Sequence, residues 1–202
     1  MKTIINKNGC ILKTENIINC PSTFKAMNDQ VTLLNHRKIG YTDDLIKELE
    51  GLDYVKEFGR LVAWQGNKSV NYKYTNKHHI ARGWTLHIDL ISETIRQFLQ
   101  TENWELYFNH CLINKYESNM SLNPHKDNEP ELKGAIASLT LGDSANFIYG
   151  KDYPNNVDRY NSLQLNHGDV MIGNRKFFND YYHSVTKPIN GKTRYCLTWR
   201  TI

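Results

Sequence analysis

The residues best suited to chemistry lie in two short stretches. His125-Lys126-Asp127 sets an imidazole and a carboxylate two residues apart, and in an extended segment side chains at i and i+2 leave the backbone on the same side. Both groups then converge on one point. A histidine from another strand would complete two imidazoles and one carboxylate, the facial set that holds iron(II) and leaves positions open for an organic cosubstrate and dioxygen. His183, in DYYHSVTK, is the candidate third ligand. Chance alone supplies about 0.4 of an H-x-D triplet in a chain of this composition, and a second one is present at His87-Ile88-Asp89. That pair falls in a helical pattern, where positions i and i+2 diverge around the axis, so it reads as a coincidence of spacing. By themselves His125 and Asp127 suit a surface loop as well as a metal, and His183 alone reads as a hydrogen-bonded structural residue.

The C-terminal stretch Arg194-Tyr195-Cys196-Leu197-Thr198-Trp199-Arg200 changes that balance. Alternation puts Arg194, Cys196, Thr198 and Arg200 on one face and Tyr195, Leu197 and Trp199 on the other. The second set is a core face. The first offers two guanidinium groups from inside a strand, which is costly unless an anion compensates them. Six strand steps separate their Cα atoms, roughly 20 Å, and each side chain can lean inward. The remaining gap suits a short dicarboxylate such as 2-oxoglutarate. Arginine is the apt residue, because its planar fork grips a carboxylate through two bonds and keeps its charge.

The elements that must position these groups are legible in outline. Thr42-Asp43-Asp44 before LIKELEGL reads as a capped short helix ended near Gly51. From Trp84 to Gln100, Ile88, Ile91, Ile95 and Phe98 recur at helical spacing, an amphipathic helix packed on something larger. From Glu105 onward the pattern changes to period two. Candidate strands are ELYFNHCLINKY, AIASLTLG, NFIYG, SLQLN, DVMIG, YHSVTK and TRYCLTWR. Helices followed by seven short strands make an α+β chain whose second half is a sandwich, jelly roll or barrel.

Composition sets the frame. At 202 residues, with 40% hydrophobic and 23% charged side chains, the chain is expected to be one globular domain spanning 1–202. Cys10, Cys20, Cys111 and Cys196 form no C-x-x-C pair, so neither a zinc knuckle nor a disulfide framework is expected and a reducing compartment suits them. The N-terminal apolar run is too short for a secretory signal, and no stretch approaches the ~18 apolar residues of a membrane span. The expectation is an intracellular chain, cytoplasmic or nuclear, without a membrane partner and monomeric. A formal charge of +4 and a pI near 8.8 are compatible with a phosphate-bearing partner, without a dense basic block.

Taken in order, CLINKYESNMSLNPHKDNEPEL, IASLTLG, HGDVMI, YYHSV and RYCLTWR resemble the successive motifs of the AlkB-like Fe(II)/2-oxoglutarate-dependent dioxygenases, the nucleic-acid dealkylases. Upstream, RLVAWQGNKSVNYKYTNKHHIARGW is similar to the segment that folds over the substrate base in that family, so the likeness runs from about Phe58 to Ile202. The resemblance implies a distorted double-stranded β-helix (jelly roll) with flanking helices and an N-terminal nucleotide-recognition lid. It divides the domain into a helical and lid part over about 1–100 and a catalytic core over about 101–202. It also implies that His125, Asp127 and His183 hold iron. Asn114, Tyr116, Arg194, Thr198 and Arg200 would bind 2-oxoglutarate, and Tyr72, Tyr74 and Glu129 would meet the base. Two positions depart from the family pattern. Cys196 stands where an Asn is frequent, and Asn128 where an acidic residue is common.

The activity so implied is oxidative dealkylation of N-alkylated bases in DNA or RNA, using Fe(II), 2-oxoglutarate and O2 and releasing succinate, CO2 and an aldehyde. Two other readings suit the same residues. One is a hydroxylase of a protein, amino acid or other small molecule, since fold and cosubstrate do not fix the substrate. The other is a catalytically silent nucleic-acid-binding module.

Overall fold

The computed structural model describes residues 25–28, 31–35, 42–67, 71–74, 77–101, 107–155 and 160–202, with backbone alone for 25–28, 31–35, 42–43, 71–74, 77 and 97–101. The N-terminal half forms β1 (Lys25–Asn28), β2 (Val31–Asn35), α1 (Thr42–Glu50), β3 (Val55–Glu57), β4 (Arg60–Gly66), β5 (Asn71–Tyr74), β6 (Lys77–Ile80) and α2 (Leu86–Thr101). The C-terminal half adds β7 (His110–Tyr116), β8 (Leu122–His125), β9 (Lys133–Gly142), β10 (Ala145–Gly150), β11 (Asn161–Leu165) and β12 (Asp169–Gly173). It closes with α3 (Arg175–Asp180), β13 (Tyr182–Val185) and β14 (Arg194–Thr201).

Period-two stretches become antiparallel strands that stack as two sheets. The major sheet has eight strands in the order β1-β2-β12-β9-β14-β7-β4-β3, and the minor sheet four, β11-β10-β13-β8. This is the jelly-roll architecture. The alternation read in the last strand holds: Tyr195, Leu197 and Trp199 join Ile113, Leu139 and Val170 in a core against Leu45, Leu49, Ile88, Ile91 and Ile95 of the two long helices. Each such large apolar side chain contributes about 1.5–3 kcal/mol by leaving water. The opposite face of the major sheet looks across to the minor sheet. There Ile136, Phe147, Leu165, Met171, Phe177 and Phe178 form a second core beside the site.

The two helices expected from the sequence are present, the second beginning two residues later than Trp84. Phe98, expected on its apolar face, lies outside the residues whose side chains are described. The first candidate strand is shorter than expected and begins at His110. Asn109 still bonds both neighbours, donating to the Arg200 carbonyl and accepting from Asn67, but outside ladder geometry. β2 pairs with β12 and β4 with β7, so both halves build the major sheet. β3 and β4 are joined by Phe58 and Gly59, whose φ values of 45° and 81° make a two-residue turn with both central residues left-handed. That turn fixes Glu57 opposite Arg60. β5 and β6 form a separate hairpin in the stretch expected to be a lid.

α3 was not legible, because six residues between two short strands carry too little periodicity. Its local signal is Asn174, whose side-chain oxygen accepts from the Phe177 amide at 2.9 Å as an N-cap. Among the described residues no helix is long and apolar enough to cross a membrane, and Cys111 and Cys196 are buried free thiols.

Candidate metal and cosubstrate site

β8 and β13 are neighbours in the minor sheet, and the register sets His125 directly opposite His183. Both imidazoles therefore leave the sheet on one side, with ring centroids 4.2 Å apart. Asp127 joins them by a different route from the one the H-x-D spacing suggested. β8 ends at His125, so Asp127 sits on the following loop. Arg175 holds that loop from the start of α3, donating to the Asp127 carbonyl at 2.6 Å and the Glu129 carbonyl at 2.7 Å. Arg200 reaches from β14 to both Asp127 carboxylate oxygens, at 3.3 and 3.2 Å.

The three donors gather into one cluster. Each histidine Nε2 lies 3.7 Å from one Asp127 oxygen, and the ligand atoms fall within 4.8 Å of one another. A single ion held at about 2 Å from each donor is within reach after a small inward movement. The His125 Nδ1 lies 2.9 Å from the Asn123 carbonyl, to which it donates, and this leaves the Nε2 lone pair for a metal. Burial would raise the Asp127 carboxyl, but Arg200 first, then His183 and His125, outweigh it and bring it down to about 2. Burial, and next His125, lower His183 to about 3. The cluster thus presents a carboxylate and a neutral buried imidazole, the forms that ligate.

Beside it opens a cavity between the two sheets. β7 and β14 line it with the expected residues: the register pairs Arg194 with Tyr116 and Cys196 with Asn114, and Thr198 and Arg200 complete the row. Arg194 is 0% exposed. Its Nη2 donates to Thr140 Oγ1 at 2.9 Å and its guanidinium lies over the Tyr116 ring at 5.3 Å, while Nε and Nη1 have no partner. Unsatisfied donors on a buried cation call for an anionic acceptor in the cavity. Burial pushes the Tyr116 phenol up to about 12, so its hydroxyl stays protonated. These residues fit an iron(II) and 2-oxoglutarate pair.

The remaining candidates divide. The coincidental pair behaves as expected: His87 lies on α2 with Nδ1 2.8 Å from the Glu48 carboxylate, and Asp89 is exposed. Tyr72 and Tyr74 lie on β5, opposite His79 and Lys77, and their side chains are outside the described residues. Glu129 is half-buried on the loop held by Arg175 and does not line the cavity. Three residues went unread. Arg175 positions the ligand loop. Trp64 of β4 presents its indole to the cavity, backed by His79 at 4.2 Å in a stacked arrangement. Arg60, 3% exposed, enters the cavity from the start of β4 and donates from Nε to Asn114 Oδ1 at 2.5 Å. Alternation within RLVAW would have placed Arg60 and Trp64 on one face; only the pairing of β4 with β7 aims that face at the site.

A family model described as the 2OG-Fe(II) oxygenase superfamily matches residues 24–200. The chain belongs to that superfamily. This oxygenase is 34% identical over 99 residues to the alpha-ketoglutarate-dependent dioxygenase AlkB of Salmonella typhimurium, covering 45% of the chain and 44% of the bacterial protein. It is 25% identical over 146 residues to the RNA replication protein of Grapevine virus A, covering 71% of the chain and 8% of the viral protein. The chain thus spans less than half the length of these curated relatives. The solved structure of OsALKBH1 superposes with a TM-score of 0.69 at 20% identity over 89% of this chain and 100% of that one, which shows the shared fold. The family uses iron(II), 2-oxoglutarate and dioxygen, and the oxygenase is an enzyme of this class with an AlkB-like sequence.

Proposed function

We propose that the chain oxidatively dealkylates N-alkylated bases in a polynucleotide. The observation that carries this reading is the composition of one cavity. The His125, Asp127 and His183 cluster, the unsatisfied Arg194 guanidinium and the Trp64 indole all face the same space. His125, Asp127 and His183 would hold iron(II), and Arg194 with Tyr116 would hold the far carboxylate of 2-oxoglutarate. When bound, iron with 2-oxoglutarate and dioxygen supplies the oxidising chemistry that hydroxylates an N-alkyl carbon, leaving succinate, CO2 and a hemiaminal that collapses to an aldehyde and the repaired base.

The protein's own work is placement. Arg200 keeps Asp127 ionised and oriented toward the histidines, and Arg175 fixes the loop that carries it. The apolar wall of Ile136, Phe147 and Val185 limits water. A base taken out of its stack needs a flat partner. Trp64, made rigid by His79, supplies that face, with Tyr72, Tyr74 and Glu129 as further candidates at the lid and rim. Likeness to a viral RNA replication protein supports RNA as the polymer.

The test is anaerobic binding of iron(II) and 2-oxoglutarate, followed by mass spectrometry of succinate and formaldehyde with methylated RNA and DNA oligonucleotides and with free amino acids and peptides. Aldehyde from methylated oligonucleotides, above all RNA, is the expected result. Hydroxylated amino acid or peptide with inert oligonucleotides would replace the proposal with the hydroxylase reading. Oligonucleotide binding without succinate would leave only a binding module.

A further inference from the structure

Three guanidinium groups, Arg60, Arg194 and Arg200, enter one cavity, and none is more than 4% exposed. The carboxylate among its lining residues is Asp127. Burying three cations beside one anion is costly unless further anions arrive. Iron(II) and doubly ionised 2-oxoglutarate cancel each other's charge, so the loaded cavity still holds a cationic surplus. Each arginine must therefore sit close to whatever negative charge is present.

Position distributes those charges. Arg200 is committed to Asp127, with Nη2 touching both carboxylate oxygens. The keto acid end of 2-oxoglutarate belongs at the metal, which leaves its far carboxylate for the other end of the cavity. There two guanidinium groups have unfilled donors: Arg194 through Nε and Nη1, and Arg60 through Nη1. They lie on either side of one residue. β14 and β7 pair Arg194 with Tyr116, and β4 and β7 pair Leu61 with Lys115, so Arg60 follows alongside Tyr116 from the other strand. The turn at Phe58-Gly59 starts β4 at that point, and Asn114 Oδ1 fixes the Arg60 Nε.

We propose that Arg60 is the second arm of the cosubstrate clamp, so that Arg60 and Arg194 hold the far carboxylate of 2-oxoglutarate from two flanking strands while Arg200 serves the metal ligand. Asn114 then acts as a positioning residue for Arg60. The inference rests on the oxygenase reading of this cavity and adds to it what selects a dicarboxylic cosubstrate.

The experiment compares two keto acids on the zinc(II)-loaded protein by calorimetric titration. 2-Oxoglutarate carries the far carboxylate; 2-oxopentanoate keeps the keto acid and the chain but ends in a methyl group. Arg60→Met is expected to weaken 2-oxoglutarate by roughly tenfold to a hundredfold, the loss of one charge-assisted contact, and to leave 2-oxopentanoate unchanged. Without cosubstrate its thermal midpoint should hold or rise, since a partly unsatisfied buried cation has been removed, and the further rise on adding 2-oxoglutarate should shrink. Should that variant not fold, Arg60→Lys makes the same comparison, with the charge retained and the fork lost. Unchanged 2-oxoglutarate affinity, or equal weakening of both acids, overturns the assignment while wild-type binding leaves the oxygenase reading standing. A wild type that binds neither acid sinks both.

Discussion

At the His125, Asp127 and His183 cluster, the convergence of the donors and the burial that sets their ionisation carry two predictions. Replacing His125, Asp127 or His183 by Ala should abolish iron(II) binding and 2-oxoglutarate decarboxylation, because each supplies one of three converging donors. His87→Gln with Asp89→Asn should leave both intact, and an iron titration in which that double variant loses metal while His125→Ala keeps it would reverse the assignment. The second prediction concerns pH. His110 and His183 are both held at about 3, His110 by burial and then by Arg200 and His79. Unfolded imidazoles take up protons as pH falls through about 6.5, so between those values protonation favours the unfolded chain. The stability of the metal-free protein should be full above that range and fall as pH drops, by up to about 1.4 kcal/mol per unit for each histidine. Asp127 adds a second loss as pH falls from 3.8 toward 2. Denaturant titrations of the metal-free protein at about pH 7.5 and about pH 5.5 decide it, and equal stabilities would contradict the buried neutral histidines.

At the scale of the element, β14 brings core and site together on one strand. Its odd-numbered aromatic and leucine positions anchor the helices, while Arg194, Thr198 and Arg200 face the cavity. Arg194→Lys keeps the charge but loses the fork, and should cost about 1.5–3 kcal/mol of 2-oxoglutarate affinity by calorimetry with little change in fold stability. Unaltered affinity would remove Arg194 from the clamp. The neighbouring strand supplies a backbone test. Gly142, opposite Arg194 at the end of β9, has φ +80°, and a Cβ there would lie 2.4 Å from the Thr193 carbonyl oxygen. Gly142→Ala should therefore destabilise the protein by about 1–3 kcal/mol and displace the start of β14. Weaker 2-oxoglutarate binding with iron affinity retained is the expected signature, read by calorimetry beside a denaturant titration. Strand positions were legible because alternation is a local pattern. The six-residue α3 was not, although it carries the arginine that holds the Asp127 loop.

At the scale of the whole molecule, the described strands form two stacked sheets and a separate β5–β6 hairpin. The protein carries a net charge of +4, and affinity for a methylated oligonucleotide should fall as salt rises, because Lys and Arg contacts to phosphate release counterions. Trp64→Ala should cost about 1–3 kcal/mol in base binding and reduce demethylation far more than decarboxylation without substrate. Equal loss of both activities would make Trp64 a wall of the cosubstrate cavity instead of a base platform.

The amino-acid order determined the spacing of His125 and Asp127, the two faces of β14 and the apolar stripe of α2, since each depends only on neighbours along one chain segment. It also placed His87 and Asp89 on a helix, where their shared triplet pattern cannot converge. Strand pairing decided the rest. His183 became a partner of His125 because β13 lies beside β8, and Asp127 joined them through Arg175 and Arg200 after the strand had ended. Arg60 and Trp64 reached the cavity because β4 pairs with β7 across a gap of about fifty residues. Local periodicity gives the face of a strand, but the neighbour of a strand is set by loop closure and by burial of the whole sheet, which no single segment encodes.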